Sequence, residues 1–264
     1  MTIHPSAEVH PSAVIEPGAQ VGPGCRIGPF CVIGPEVQLG AGVEVKSHVV
    51  ITGWTEIGDQ TTIFPFAVLG EVPQDLKFKG EKTRLVIGAR NRIREHVTMN
   101  PGTEGGGGVT RIGDDGLFMA GCHVAHDCQI GDRVILVNNV GLAGHCIIEE
   151  DVIVGGLCGV HQFVRIGRGA MIGALTMVTA DVMPFGLVQG PRGTLDGLNL
   201  VGLKRRGVAK ADIAELRELF SDLAGGSLRD TARRKLEEGG HGPLVSEVLG
   251  FILGPSDRSF LAPR

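Results

Sequence analysis

The chain has 264 residues, enough for one large domain or two modest ones, and a hydrophobic content of 42% supplies a buried core. A formal net charge of −4 excludes the global basic field that general nucleic-acid binding needs. The opening stretch MTIHPSAEVHPSAVIEPGA carries neither a basic leader nor an uninterrupted apolar run, which reads as a chain with no membrane span and a cytoplasmic location.

With 42 glycines, 14 prolines and no tyrosine, the composition describes many short strands broken by tight turns. From Ile3 onward an aliphatic residue recurs at every sixth position, through Val9, Ile15, Val21, Ile27 and Ile33 to Ile63. The pattern returns at Ile87, Ile93 and Met99 and then, after a shift of register, runs from Ile112 through Phe118 and Val124 to Val178. The interruptions at residues 70–85 and 104–111 read as excursions from a repeating scaffold. Four residues after each aliphatic stands a small one, among them Ala7, Ala13, Ala19, Cys25 and Cys31, which fits a second inward position at a tight corner. A six-residue unit with two inward residues cannot bury itself, so units must stack into a solenoid, three to a triangular coil. The expected fold is mainly β, a parallel β-helix over residues 1–190 followed by a helical domain over 191–264.

All six cysteines, Cys25, Cys31, Cys122, Cys128, Cys146 and Cys158, occupy the small inward position. Packing accounts for them, so reduced structural thiols are expected rather than a disulfide framework or a zinc cluster. Beyond Pro184 the hexads stop. Ile213, Leu216, Leu219, Phe220 and Leu223 have helical spacing; a second helix is expected to open at Ser227, with Asp230 three residues on, and a third to span Leu244 to Leu253.

The polar residues capable of chemistry cluster in the second half of the repeat: His123, His126 and Asp127 in GCHVAHDC, His145 in LAGHC, and His161 with Gln162 in VHQF. None takes an inward position. Stacking at eighteen residues per coil sets Gly144 over His126 at ~4.8 Å, the spacing of paired strands. A histidine near neutrality can take a proton from a hydroxyl attacking a thioester, an adjacent carboxylate can orient its ring, and a glycine amide can receive the oxyanion. No serine or cysteine nucleophile accompanies the cluster, which favours direct transfer over an acyl-enzyme. The densest basic run, Lys204, Arg205 and Arg206, suits a diphosphate or an acidic protein, or equally the solvated start of a helix. Gly105 to Gly108 lacks the Lys-Ser/Thr pair of a phosphate loop and reads as a flexible segment.

The segments GEVPQDLKFKGE, RNRIREHVTMNPGT, HVAHDC, NNVGLAGH, GGLCGVHQF and NLVGLKRRG, in this order across nearly the whole chain, resemble the UDP-N-acetylglucosamine O-acyltransferases, hexapeptide-repeat enzymes that open lipid A synthesis. The resemblance implies a left-handed coil, with His126 as general base, Asp127 as its orienter and Gly144 as oxyanion donor. It implies substrate recognition by Asp75, Lys77, His123, His145, His161, Gln162, Asn199, Arg205 and Arg206, no cofactor, and an (R)-3-hydroxyacyl chain delivered by acyl carrier protein. It further implies a homotrimer with sites between subunits. The family's acyl-length ruler matches Ala174, somewhat under three coils above His126, or roughly 13 Å along the axis at ~4.8 Å per coil, which suits a chain of about ten to fourteen carbons. Val201, Arg192 and Asn100-Pro101 depart from the family's usual residues, and transfer to the 3-amino sugar analogue remains open. Two readings from other classes stand beside it. A zinc enzyme of the γ-carbonic-anhydrase kind would use His123, His126 and His145, and a purely binding solenoid would not need His126. The sister N-acyltransferase usually carries an extra N-terminal domain, whereas the hexads here begin at Ile3.

Overall fold

The computed structural model describes residues 2–256 and 258–263. Residues Thr2 to Val178 form a parallel β-solenoid whose walls are three sheets of very short strands, most of them two residues long. Successive rungs of one wall are eighteen residues apart, as in Gln20 paired with Gln38 and Val21 with Leu39. The leading aliphatic of each hexad points inward. Ile33, Ile51, Ile63, Leu69, Leu136 and Leu142 are fully buried, and each such side chain contributes about 1.5–3 kcal/mol over an exposed one. The small residue four places later fills the corner because a larger one would meet the rungs above and below.

The corners have a fixed backbone. At the third position after the leading aliphatic the chain enters the left-handed region, and sixteen non-glycine residues do so, among them Phe30, Asp127 (φ 60°) and His145 (φ 61°). An ordinary residue pays for that conformation, and the paired rungs on either side enforce it. One consequence is a column of exposed rings, Phe30, His48, Phe66 and His96, stacked at centroid separations of 5.0, 5.1 and 5.1 Å along the corner after the second wall.

The six cysteines lie inside, unpaired and buried. Five of the thiols point at the carbonyl fifteen residues ahead at 2.7 to 3.2 Å, as Cys31 does toward Lys46 and Cys128 toward Ala143; Cys158 points likewise at Gly173 (2.9 Å). Burial pushes the Cys122 thiol up to about 11.

Both excursions leave from the corner between the third wall and the first. Eighteen residues separate Leu69 from Ile87, and thirteen separate Met99 from Ile112, where six would continue the ladder. The ladder resumes at Arg84–Ile87 and at Val109–Ile112, and these two strands pair with each other, so the first excursion ends at Thr83 and the second at Gly108, each a little short of the expected 85 and 111. The second is also not a loose segment: residues 104–106 form a 3₁₀ turn, and the Thr103 carbonyl accepts from the amides of Gly106 (3.0 Å) and Gly108 (2.8 Å).

An antiparallel hairpin, Gly186–Gln189 with Thr194–Leu198, extends the second wall and leads into four helices among the described residues. Helix α1 (Leu200–Arg205) is unforeseen in the sequence, and Lys204 and Arg205 close it rather than start it. Helix α2 (Lys210–Leu223) buries Ile213, Leu216, Leu219 and Leu223, and α3 (Leu228–Glu238) opens with the Asp230 amide donating to Ser227 Oγ (3.3 Å). Helix α4 (Pro243–Leu253) starts at its proline and stops at Gly254. The closing segment is fastened to the last coil by Arg165, which is paired with fully buried Asp181 (2.8 Å) and stacked on Phe251 (4.4 Å).

Candidate active site

His126 and Asp127 occupy the second and third positions after Val124, on the corner from which both excursions depart. The left-handed backbone at Asp127 turns its side chain back under the corner, where it is 0% exposed. Its Oδ2 lies 2.8 Å from His126 Nδ1. A carboxylate can only accept, so Nδ1 carries the ring proton and the lone pair of His126 resides on Nε2. The same carboxylate accepts the Thr103 amide (2.9 Å) and hydroxyl (2.6 Å), while the Asp127 amide donates to Thr110 Oγ1 (2.7 Å).

Gly144 sits one rung above His126. A Cβ placed on it would stand 2.5 Å from His126 Cε1 and 2.7 Å from Nε2, so only glycine lets the ring keep this position. The Gly144 amide has no acceptor among the described residues. Equivalent amides on the corner after the first wall are capped from the next coil: Ala41 by Asp59 (2.7 Å), Ala89 by Asp114 (2.8 Å) and Asp114 by Asp132 (2.7 Å). The residue in the capping place over Gly144 is Gln162, whose side chain does not accept from that amide among the described residues.

His123, His126, Gly144, His161 and Gln162 line one groove of about 500 Å³, together with Gln74 from the first excursion. Burial, with the neighbouring His126 adding to it, depresses the basicity of His123, whose Nδ1 meets Thr98 Oγ1 at 2.7 Å. Burial likewise depresses His145, against the pull of Asp127. The His145 ring stacks on Phe163 (4.4 Å), stands edge-on to His126 (4.9 Å), and borders a second cavity of about 410 Å³ with Asp75, Lys77 and Thr103. Among the described residues, the groups close enough to share a metal ion are His126, Asp127 and His145 rather than the three histidines of the zinc reading. The carboxylate of that set already takes three donors.

Asn199, Arg205 and Arg206 are not brought to this groove. They line a cavity of about 620 Å³ on the second wall, with Ile153, Met171 and Val201. Asn199 is committed on both sides, accepting from the Gly202 amide (2.9 Å) as the cap of α1 and donating to the Gly169 carbonyl (3.0 Å). Burial lowers the Arg206 guanidinium from its usual range. Ala174 is exposed on the corner after the second wall, away from the His126 groove within one chain.

Sequence reasoning missed Arg258. Its guanidinium donates to His161 Nδ1 at 2.7 Å, and since arginine cannot accept, this fixes the His161 proton on Nε2, facing away from the tail. The weaker approach of His161 Nδ1 to the Gln162 carbonyl (3.3 Å) would require the opposite tautomer, and the shorter charged contact decides between them. No spacing rule links residues so distant in sequence. Thr103 and Gln74 were equally unmarked, although both lie in the quoted segments NPGT and VPQD.

Residues 181–261 match the family model described as Udp N-acetylglucosamine O-acyltransferase, domain 2, and residues 1–35, 18–53 and 110–144 match the bacterial transferase hexapeptide model. A Paracoccus denitrificans protein named acyl-(acyl-carrier-protein)–UDP-N-acetylglucosamine O-acyltransferase is 79% identical over 202 residues, 76% of this chain and 77% of its own length. This chain belongs to the UDP-N-acetylglucosamine O-acyltransferase family. An O-acyltransferase of the same name from Agrobacterium fabrum is 45% identical over 84% of this chain and 83% of its own. The solved UDP-N-acetylglucosamine acyltransferase from Campylobacter jejuni is 39% identical, with a TM-score of 0.91 over 97% of this chain and 100% of that one. The likeness to this solved acyltransferase therefore takes in solenoid, hairpin and helices together.

Proposed function

We propose that this chain transfers a 3-hydroxyacyl group from acyl carrier protein to the 3-position of UDP-N-acetylglucosamine, the opening step of lipid A synthesis. The observation that carries this reading is one corner holding an imidazole with a free Nε2, its other nitrogen pinned by a buried carboxylate, beside an uncapped glycine amide. His126 Nε2 takes the proton of the sugar hydroxyl as its oxygen bonds to the thioester carbonyl carbon. The carbonyl oxygen becomes anionic and accepts the Gly144 amide, a role supported by the aspartate oxygens that rest on equivalent amides elsewhere in the solenoid. Collapse re-forms the carbonyl, breaks the carbon–sulfur bond and returns the proton from His126 to the departing thiolate. Asp127 keeps the ring oriented and balances the imidazolium.

His123, His145, His161, Gln162, Asp75 and Lys77 recognise the sugar and its surroundings. Arg205 and Arg206, on a different wall, serve the nucleotide or the acidic carrier protein from a neighbouring copy, and so does the Asn199 corner, in the homotrimer with sites between subunits that the family resemblance implies. Ala174 limits the acyl chain from such a neighbour. We place the enzyme in the cytoplasm, where six unpaired thiols persist. Among the described residues no helix is long and apolar enough to cross a membrane.

Incubation with UDP-N-acetylglucosamine or its 3-amino analogue and a panel of 3-hydroxyacyl carrier proteins, followed by mass spectrometry, is expected to give an O-acyl product with a ten- to fourteen-carbon chain. His126→Ala is expected to lower kcat by about 10²- to 10⁴-fold, the usual contribution of a positioned base. Wild-type turnover in that variant would overturn the assignment.

A further inference from the structure

The Asp127 carboxylate stands between two imidazoles on one corner. Its Oδ2 is 2.8 Å from His126 Nδ1 and 3.9 Å from His145 Nδ1. Along the chain His126 is the neighbour of Asp127, whereas His145 stands one coil above it at the same corner position, so the carboxylate has an imidazole on each side at unequal distance. The second excursion fixes which way it faces. Thr103 directs its amide to Oδ1 and its hydroxyl to Oδ2, and two donors on two different oxygens fix the plane of the carboxylate. We propose that Thr103 is a positioning residue that commits Asp127 to His126 rather than His145, and that Gly106 is the point at which the excursion closes over the carboxylate. This inference rests on the reading of His126 as the base.

The glycines of the excursion separate by cause. Gly107 (φ 95°) and Gly108 (φ 78°) adopt the left-handed region, where an L side chain is strained. Gly105 has ordinary backbone and open space where a Cβ would go. Gly106 also has ordinary backbone, yet a Cβ there would lie 2.1 Å from Asp127 Cγ and 2.2 Å from Oδ2. The absent side chain at 106 thus serves contact with the carboxylate and not the turn. The loop is built on Thr103 itself, whose carbonyl holds the amides of Gly106 and Gly108, so hydroxyl, amide and cover move as one unit. The result is a carboxylate shut off from solvent, its plane fixed by two donors from the excursion.

Four variants test this. Thr103 has an extended backbone (φ −121°, ψ 156°) that valine also adopts, so Thr103→Val removes the hydroxyl with little change of shape. Loss of a charge-assisted hydrogen bond is expected to lower kcat by about tenfold to a hundredfold while KM for the sugar nucleotide stays within about twofold. Thr103→Ser restores the donor and is expected to recover most of the turnover. Gly106→Ala is expected to match Thr103→Val, and the adjacent Gly105→Ala to behave as wild type. The proposal falls if Thr103→Val retains full kcat while His126→Ala is inactive, if serine fails to rescue although melting is unchanged, or if Gly105→Ala and Gly106→Ala lose equally. If His126→Ala itself keeps wild-type turnover, the assignment of the base is what has failed, and this inference goes with it.

Discussion

Two corners of the solenoid share a backbone and differ in what covers them. After the first wall, the left-handed positions carry Arg90, Asp115, Arg133 and Asp151, which pair in a ladder, Arg90 with Asp115 at 2.7 Å and Arg133 with Asp151 at 2.7 Å. After the third wall, the same positions carry Asp127 and His145. The Arg90–Asp115 step of the ladder stands in water, at 47% and 42% exposed, and the carboxylates one residue earlier cap the corner amides. At the other corner the carboxylate is roofed by a glycine excursion, and the amide above it is left uncapped. The turn geometry is neutral as to function: a charged side chain there makes a surface ion pair when open and orients a base when enclosed, because low local dielectric raises the value of each remaining contact.

The largest way to break this contrast is at the enclosed carboxylate. Asp127→Asn presents an amide nitrogen where His126 needs an acceptor, favours the wrong tautomer, and is expected to cost about 10²- to 10³-fold in kcat, measured by the same acyl-transfer assay. A pH series of melting temperatures sharpens it. His123 and His145 are both less basic in the folded chain than their ordinary value of about 6.5, chiefly through burial. Above that value neither state binds the proton and these residues contribute nothing. As pH falls below it the unfolded chain takes up protons that the folded chain refuses, so the melting temperature is expected to decline, and a flat profile from pH 7 to 5 would contradict the burial argument. The smallest effect belongs to the open part of the ladder: Asp115→Asn is expected to leave kcat unchanged and to shift melting by no more than about two degrees, since exposed ion pairs contribute little.

The solenoid was legible because each hexad states its fold twice, once in Ile27 or Leu136 and again in Cys31 or Val140, and a register built on pairs survives excursions. The placement of Gly144 over His126 followed from that period alone. The partners of Asp127 did not, because Thr103 belongs to a segment with no period, and its contact depends on how many residues the excursion adds. Arg258 reaches His161 only through the route of the last helices, which hydrophobic spacing does not reveal. Helix α1 was hidden because it is only six residues long and contains Gly202, a weak helix former. The grouping of Arg205 and Arg206 apart from His126 was invisible for a different reason, since a linear motif says nothing about which wall faces which.

The six sequestered thiols give the scaffold a record of its own unzipping. Each sulfur is held against a carbonyl of the following coil, and burial disfavours the reactive thiolate at Cys25, Cys31, Cys122 and Cys158. Modification by a thiol reagent must therefore wait for the coil that shelters the sulfur to part from its neighbour. With Cys25 and Cys31 near one end and Cys146 and Cys158 beside the helical cap, the order in which they are labelled maps the sequence of opening along the axis.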